Sequence, residues 1–146
     1  PEYSPHDANL PEYLKNRREM IKLIPGFWRN LPKIEAGFEI VSVLEKLNYQ
    51  LHVLTKGPHT KRQAWTEKAE WCDQHLPQAK LTITEDKSLT DGDVLVDDFP
   101  PYFTTWLANH PKGKIVCVAQ PWNVGYEVGN MYRYVGNQVE LIEFLT

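Results

Sequence analysis

The chain has 146 residues, of which 42% are hydrophobic and 24% are charged, and its formal net charge is −3 at pH 7. A chain of this length and composition can bury the core of one globular domain, which excludes an intrinsically disordered protein. The negative charge argues against a general binder of nucleic acid polymers, whose phosphate contacts need a basic surface. No apolar run approaches the length that spans a membrane, so no membrane partner is expected.

Residues 1–34 differ from the rest of the chain because five prolines interrupt them. One helix is predicted here, over 11–23, because Pro11 suits the first turn of a helix. We therefore expect a small helical cap segment over residues 1–34 and an α/β core domain over residues 35–146.

From Glu35 onward, predicted helices alternate with short apolar strands. The helices are predicted at 35–48, 59–76, 101–109 and 138–145, the last with Asn137 as its N-cap. The strands are predicted at 50–54, 81–84, 93–97, 114–119 and 132–135. This alternation implies an α/β fold whose strands pair in parallel through right-handed crossovers.

Polar residues follow three of these strands. Asp97 and Asp98 end the strand 93–97, Thr55 follows the strand 50–54, and Lys87 comes shortly after the strand 81–84. Ligands of parallel sheets bind at the carboxyl ends of the strands, so these side chains are expected at one edge. Two adjacent carboxylates are costly unless a cation neutralises them, which predicts a Mg²⁺ site next to a phosphate site.

Each of these residues also has an ordinary explanation. Threonine favours strands, Lys87 lies in a polar stretch typical of a solvated loop, and an Asp pair before two prolines can simply begin a turn. Their order along the chain, with spacing close to that of strand crossovers, is what favours a common site.

The same residues resemble a known family. Leu54-Thr55, the stretch 84–89 around Lys87, and the stretch 92–98 look like the second, third and fourth motifs of the haloacid-dehalogenase-like phosphatases. Within that superfamily the chain is most similar to the 5′(3′)-deoxyribonucleotidases. The further similarity lies in residues 25–32, which look like the junction between cap and core, and in Trp65 with Glu67.

The resemblance implies a three-layer Rossmann-like parallel sheet with a small helical cap at the N-terminal end. It also implies a Mg²⁺-dependent phosphomonoesterase that acts on (deoxy)nucleoside monophosphates through an aspartyl-phosphate intermediate. In this scheme Thr55 holds the phosphoryl oxygens, and Lys87 neutralises the nucleophile and the phosphate. Asp98 ligates Mg²⁺, and Asp97 assists it.

The resemblance also assigns residues to the substrate. Phe27 and Trp28 would lie against the nucleobase, although an aromatic pair beside Pro-Gly is as often part of a core. Lys56 and Gly57 follow Thr55 in the loop that would surround the phosphate, where small polar residues are usual in the family.

One family motif has no counterpart in this sequence, the Asp-x-Asp after the first strand that supplies the nucleophile. Asp7 follows no predicted strand, and Asp91-Gly92-Asp93 precedes one. In the family that strand is central, between the Thr strand and the Asp-Asp strand. Because its loss would leave a gap in the sheet, we expect the first core strand and the nucleophile upstream of residue 1.

Two alternatives remain open. The chain could be a catalytically silent relative that binds a nucleotide or phosphate without a nucleophile. A response-regulator-like signalling domain also gathers acids and a lysine at strand ends, but here the acid pair comes after the lysine, which disfavours it.

The remaining signals are weaker. Cys72 and Cys117 lie in apolar patterns and are expected to be reduced core residues of a cytoplasmic protein. The five histidines show no metal-ligand spacing. Residues 121–123 either border the site or form a turn with an aromatic plug. The expected partner is a small phosphate ester, and a homodimer remains open.

Overall fold

The computed structural model describes residues 9–146, so the first eight residues of the predicted cap segment lie outside the described part. The helices of that part are α1 Glu12–Ile21, α2 Glu35–Lys46, α3 Arg62–His75, α4 Pro100–Asn109 and α5 Gln138–Leu145. The strands are β1 His52–Lys56, β2 Lys80–Thr84, β3 Val94–Asp97, β4 Lys114–Val118 and β5 Met131–Tyr134. This order confirms the predicted α/β class, and it adds short 3₁₀ turns at Lys87–Leu89 and Pro121–Asn123.

The strands pair only in parallel, and within residues 9–146 they form two sheets. In the first, β1 pairs with β2, and Thr55 stands opposite Ile83. In the second, the order is β3-β4-β5, and Asp97 stands opposite Cys117. Because all pairs are parallel, the residues that end these strands lie at the same edge of their sheets.

The core is centred on β4. Val116 faces α2 and α5, where it packs in one cluster with Ile40 and Leu141. Ile115 and Cys117 face the other way, into a second cluster around Phe103 and Trp106 of α4. This alternation is the period of two of a strand covered on both faces, so helices lie on both sides of the sheet. The prediction of buried, free cysteines is confirmed for both Cys72 and Cys117.

A cleft of about 580 Å³ separates the two sheets. Residues 51, 52 and 54 line it from β1 and its approach, and residues 93–96 line it from β3, while Leu44 and Trp106 close its sides. In the described part of the chain β1 pairs only with β2, and β3 pairs only with β4. Each of these strands therefore presents one unpaired edge towards the cleft.

Two helix ends show how the local sequence fixes the elements. Asn137 accepts hydrogen bonds from the main-chain N–H groups of Val139 and Glu140, which confirms it as the N-cap of α5. Helix α4 begins with Pro100 in its first turn, where the missing N–H costs nothing, so the helix starts two residues after Asp98. None of the helices in residues 9–146 is both long and apolar enough to cross a bilayer.

Candidate functional site

The acid pair lies in a well-connected corner at the carboxyl end of β3. Lys87 Nζ donates to Asp97 Oδ2 at 2.6 Å, and both side chains are largely buried, with 13% and 7% of their surface exposed. The other oxygen, Asp97 Oδ1, accepts from the main-chain N–H groups of Asp98 at 2.8 Å and Phe99 at 3.0 Å. One ammonium and two amides thus fix both oxygens of the carboxylate, and the charged partner makes the bond from Lys87 the strongest.

Asp98 has a different environment. Burial, and next the charge of Asp97, raise the pKa of its carboxyl group above the ordinary value. Its main-chain carbonyl accepts from Trp122 Nε1 at 3.1 Å and from Asn123 Nδ2 at 2.9 Å. Residues 121–123 thus form a 3₁₀ turn that contacts the main chain of the acid pair, so both features that the sequence left open are present. A buried acid beside a second acid is stabilised in its charged form by a cation.

Lys87 reaches the corner from the 3₁₀ turn that follows β2. Asp86 caps this turn, because its carboxylate accepts from the Ser88 main-chain N–H at 2.9 Å and from the Ser88 hydroxyl at 2.7 Å. The ring of Tyr102, from the first turns of α4, lies 4.7 Å from Lys87 Nζ and 5.9 Å from Lys56 Nζ. Both ammonium groups lie within the distance at which an aromatic ring attracts a cation.

Thr55 lies in β1, on the other side of the cleft from the acid pair. Its hydroxyl accepts from Lys68 Nζ at 3.4 Å, and Lys68 also donates to the carbonyl of Lys56 at 2.5 Å. Burial, and next the positive charge of Lys87, lower the pKa of Lys68 from 10.5 to about 8. The two ammonium groups are therefore close enough to repel each other, which makes the space near them attractive to an anion.

Lys68 was missed by the sequence analysis. The available signal was a lysine placed three residues after Trp65 and four residues before Cys72, on the apolar face of α3. A charged residue at such a position is either a solvated edge residue or one whose charge has a function.

The residues after Thr55 have different surroundings. Lys56 is exposed, whereas Gly57 is buried and its N–H donates to the carbonyl of Thr84 at 2.9 Å. A Cβ on Gly57 would lie 2.3 Å from the indole ring of Trp65, so only glycine fits there without a rearrangement. Gly57 thus lets Trp65 approach the loop.

The loop around residues 26–28 is fastened to α3. The buried carboxylate of Glu67 accepts from the N–H groups of Gly26 at 2.7 Å and Trp28 at 3.0 Å. Hydrogen bonds from the Gln63 side chain, and next from Gly26, lower the pKa of Glu67. The similarity noted for Glu67 thus corresponds to a contact between α3 and the loop at residues 26–28.

The two aromatic residues of that loop take different positions. The Trp28 ring lies 4.6 Å from Lys68 Nζ, so the structure brings Trp28 to the Thr55 side of the cleft. Its indole N–H is buried and has no hydrogen-bond partner among residues 9–146. Phe27 packs edge-on against Trp28 at 5.0 Å and lines a shallow cavity with Leu14 and Ile21 of α1.

The carboxylate oxygens of the acid pair suit Mg²⁺, but they are too few to fill its coordination shell. Within the described part of the chain, no three His, Cys, Asp or Glu side chains converge on one point. Asp97 and Asp98 form a pair of hard oxygen donors, and Mg²⁺ binds in proteins through one or two carboxylates, with water and substrate phosphate as its other ligands. The residues present therefore fit this ion.

Comparisons with known proteins point to one family. The model of the family described as "5′ nucleotidase, deoxy (Pyrimidine), cytosolic type C protein" matches residues 11–139. Relatives from Bordetella bronchiseptica and Bordetella pertussis, each named "Putative 5′(3′)-deoxyribonucleotidase", are 31% identical over 113 residues. The match covers 75% of this chain and 59% of each relative, so the chain spans about three-fifths of their length. The chain belongs to the cytosolic type C 5′-deoxynucleotidase family, a group of haloacid-dehalogenase-like nucleotidases.

Proposed function

We propose that this chain carries most of the active site of a Mg²⁺-dependent phosphomonoesterase that removes phosphate from (deoxy)nucleoside monophosphates. The observation that carries the proposal is the Lys87–Asp97 ion pair beside Asp98, with Thr55 and Lys68 across the cleft. Family membership and the names of the relatives support the same reaction class.

The cationic groups would bind the phosphate. The Thr55 hydroxyl and the ammonium groups of Lys68 and Lys87 would hold its oxygens, because they offer hydrogen-bond donors and positive charge in a partly water-excluded corner. Lys87, whose head is already oriented by Asp97, would keep its charge close to the reacting phosphoryl group. Lys56, exposed at the end of β1, would draw in the anionic substrate rather than hold it.

The acid pair would hold the metal. Asp98 would be the main protein ligand and Asp97 would assist, since Asp97 already shares its charge with Lys87. When bound, Mg²⁺ would supply Lewis-acid polarisation of the phosphoryl oxygens.

The nucleobase would lie against Trp28. The ring offers a flat apolar surface, and its buried N–H has no partner in residues 9–146 and would be satisfied by an acceptor on the substrate. Phe27 would support the ring from the α1 side, and Gly57 would keep the loop beside Trp65 in place.

The nucleophile of the proposed aspartyl-phosphate intermediate would come from a further strand, seated in the cleft between β1 and β3. The support is physical, because each of these strands presents an unpaired edge towards the space between them. Backbone groups left unpaired at two facing edges favour the addition of a strand.

The test is complementation. The 146-residue chain should release no phosphate from any nucleoside monophosphate in the presence of Mg²⁺. The same chain carrying an added apolar strand and Asp-x-Asp ahead of Pro1, called the extended chain below, should release it. Changing the first Asp of the added motif to Asn should abolish turnover while leaving thermal stability unchanged. Equal turnover by the 146-residue and extended chains would contradict the placement of the nucleophile.

A second candidate is a catalytically silent phosphate-binding protein. It would keep Thr55, Lys87 and the acid pair as a site for phosphate and Mg²⁺ without a carboxylate placed to attack the phosphoryl group, because both oxygens of Asp97 are already engaged by Lys87 and two main-chain N–H groups. An extended chain that binds inorganic phosphate and Mg²⁺ but turns over no substrate would support this candidate instead.

A further inference from the structure

We propose that Asn123 is a positioning residue that holds the Asp98–Phe99 peptide and thereby fixes the direction of the Asp97 carboxylate, one of the two acids of the pair. The proposal rests on the proposed function in so far as the acid pair is the metal site. It concerns a residue that the family resemblance did not assign.

Asn123 has no exposed surface, and each polar atom of its amide is used twice. Its Nδ2 donates to the carbonyls of Asp98 and Val118, both at 2.9 Å. Its Oδ1 accepts from Gln120 N and from Arg133 Nε, both at 3.0 Å. This one side chain therefore joins the ends of β3 and β4 to a residue of β5.

The Asp98–Phe99 peptide is held at both of its polar atoms. Its carbonyl accepts from Asn123 and from Trp122 Nε1, and its N–H donates to Asp97 Oδ1. The Asp97 carboxylate then accepts from Lys87 through its other oxygen. A continuous series of hydrogen bonds therefore runs from Arg133, through Asn123 and this peptide, to Asp97 and Lys87.

The positive charge of Arg133, at one end of this series, strengthens the hydrogen bonds that follow it. Arg133 donates from Nε to Asn123 and from a terminal nitrogen to the carbonyl of Gln120, at 3.1 Å. A guanidinium that donates to the amide oxygen polarises the amide, so Nδ2 becomes a stronger donor to the Asp98 carbonyl. Hydrogen bonds that orient metal ligands affect metal affinity even when they lie outside the ligand set.

Both a structural and a positioning role would make Asn123 sensitive to substitution, so the test must separate them. Asn123→Asp keeps the oxygen that accepts from Arg133 and Gln120 but loses the donor to Asp98 and Val118. Its added negative charge would attract a cation, so weaker Mg²⁺ binding by this variant cannot arise from charge alone. Tyr134→Phe is the matched control, because it removes one hydrogen bond, to Glu39, from a fully buried residue of β5.

Two measurements on the 146-residue chain decide the proposal. Mg²⁺ affinity by calorimetry should fall about tenfold in Asn123→Asp, as is typical when a partner of a metal ligand is lost. Amide hydrogen exchange at Phe99 should be at least about fivefold faster in the same variant, because its peptide is less well held. Tyr134→Phe should change neither quantity by more than about twofold, since its lost bond is a local one.

An unchanged Phe99 exchange rate in Asn123→Asp would overturn the proposal, as would the same loss of Mg²⁺ affinity in Tyr134→Phe. If the wild-type chain binds no Mg²⁺, the metal assignment in the proposed function fails, and the exchange measurement alone decides the positioning role. If Asn123→Asp does not fold, Trp122→Phe removes the other donor to the same carbonyl and should accelerate Phe99 exchange about twofold, in keeping with the loss of one of two donors.

Discussion

The two sheets of the molecule differ in how deeply their residues are buried. The three-stranded sheet contains β4, whose residues Ile115, Val116 and Cys117 have no exposed surface. The two-stranded sheet has no buried residue, since the residues of β1 and β2 are half-buried or exposed. The acid pair lies on the first sheet, while Thr55 lies on the second and Lys68 on the helix α3 that connects its strands.

This difference indicates how a ligand would act on the molecule. The Asp97 carboxylate of the first sheet is held by several hydrogen bonds, one of them from Lys87 in the turn after β2. Thr55 and Lys68 belong to the second sheet and to the helix between its strands, and within residues 9–146 they make no hydrogen bond to the acid pair. A phosphate that contacts both sides would join the less buried sheet to the more buried one. Binding would then stabilise the fold, because a ligand bound only by the folded state adds to its stability.

The difference in burial between the two sheets can be tested by shortening one apolar side chain in each sheet. Ile115→Ala should lower the free energy of unfolding by about 4 kcal/mol, because a fully buried residue leaves a cavity. Leu54→Ala, in half-buried β1, should cost about 2 kcal/mol or less, because the site borders the cleft and can relax. Urea unfolding followed by circular dichroism measures both. Equal losses of unfolding free energy would mean that the two sheets are equally well packed.

The elements with strong local signals were predictable from the sequence. The predicted bounds of helix α5, 138–145, are those observed, because Asn137 caps the helix and its apolar residues recur at helical spacing. The predicted bounds of β1 were wrong by two residues: the strand was predicted at 50–54 and lies at His52–Lys56. Tertiary pairing with β2 selects the residues that extend, and the sequence of β1 alone does not contain this information.

The second prediction tests the charge of Lys87, which extends from the turn after β2 to Asp97 of β3. Lys87→Met in the extended chain should lower turnover by about a hundredfold or more, because a preorganised charge at the phosphoryl group is lost. Lys80→Met, at the exposed opposite end of β2, is the matched control and should keep wild-type turnover. Initial rates of phosphate release measure the effect, and circular dichroism checks the fold. Turnover near the wild-type rate in Lys87→Met would return this residue to a purely structural pairing with Asp97.

The third prediction separates the two carboxylates of the first sheet. Asp98→Asn should weaken Mg²⁺ binding by at least about tenfold, because it removes the acid whose charge is not shared with an ammonium group. Asp97→Asn should weaken binding less, since Lys87 already neutralises part of that charge. Calorimetric titration of Mg²⁺ into each variant gives the comparison. A larger loss in Asp97→Asn would exchange the roles proposed for the two residues.

The candidate site was only partly predictable. Thr55, Lys87 and the acid pair follow strands, so the rule that parallel strands end at one edge was enough to group them. Asn123 lies in the segment 121–123, which the sequence analysis already identified as one that could border the site. Lys68 and Arg133, by contrast, come from a helix and a strand interior and do not follow a strand end. Their place depends on how α3 and β5 pack, which is decided by contacts between residues far apart in the chain.

The last prediction uses pH to test the cationic side of the cleft. The folded pKa of Lys68 is about 8, below its ordinary value of 10.5, because burial and Lys87 disfavour the charge. The unfolded chain therefore binds more protons between these two values, so the contribution of Lys68 to stability rises with pH across that window. Binding of inorganic phosphate should show the opposite trend, since the ammonium group loses its charge above pH 8. Because phosphate itself ionises equally for every variant, the informative quantity is the ratio of wild-type to Lys68→Met affinity by calorimetry. We expect this ratio to fall about threefold between pH 7 and pH 9, the size of one partly screened charge. A ratio that stays constant would show that Lys68 does not contact the anion and that its lowered pKa has no role in phosphate binding.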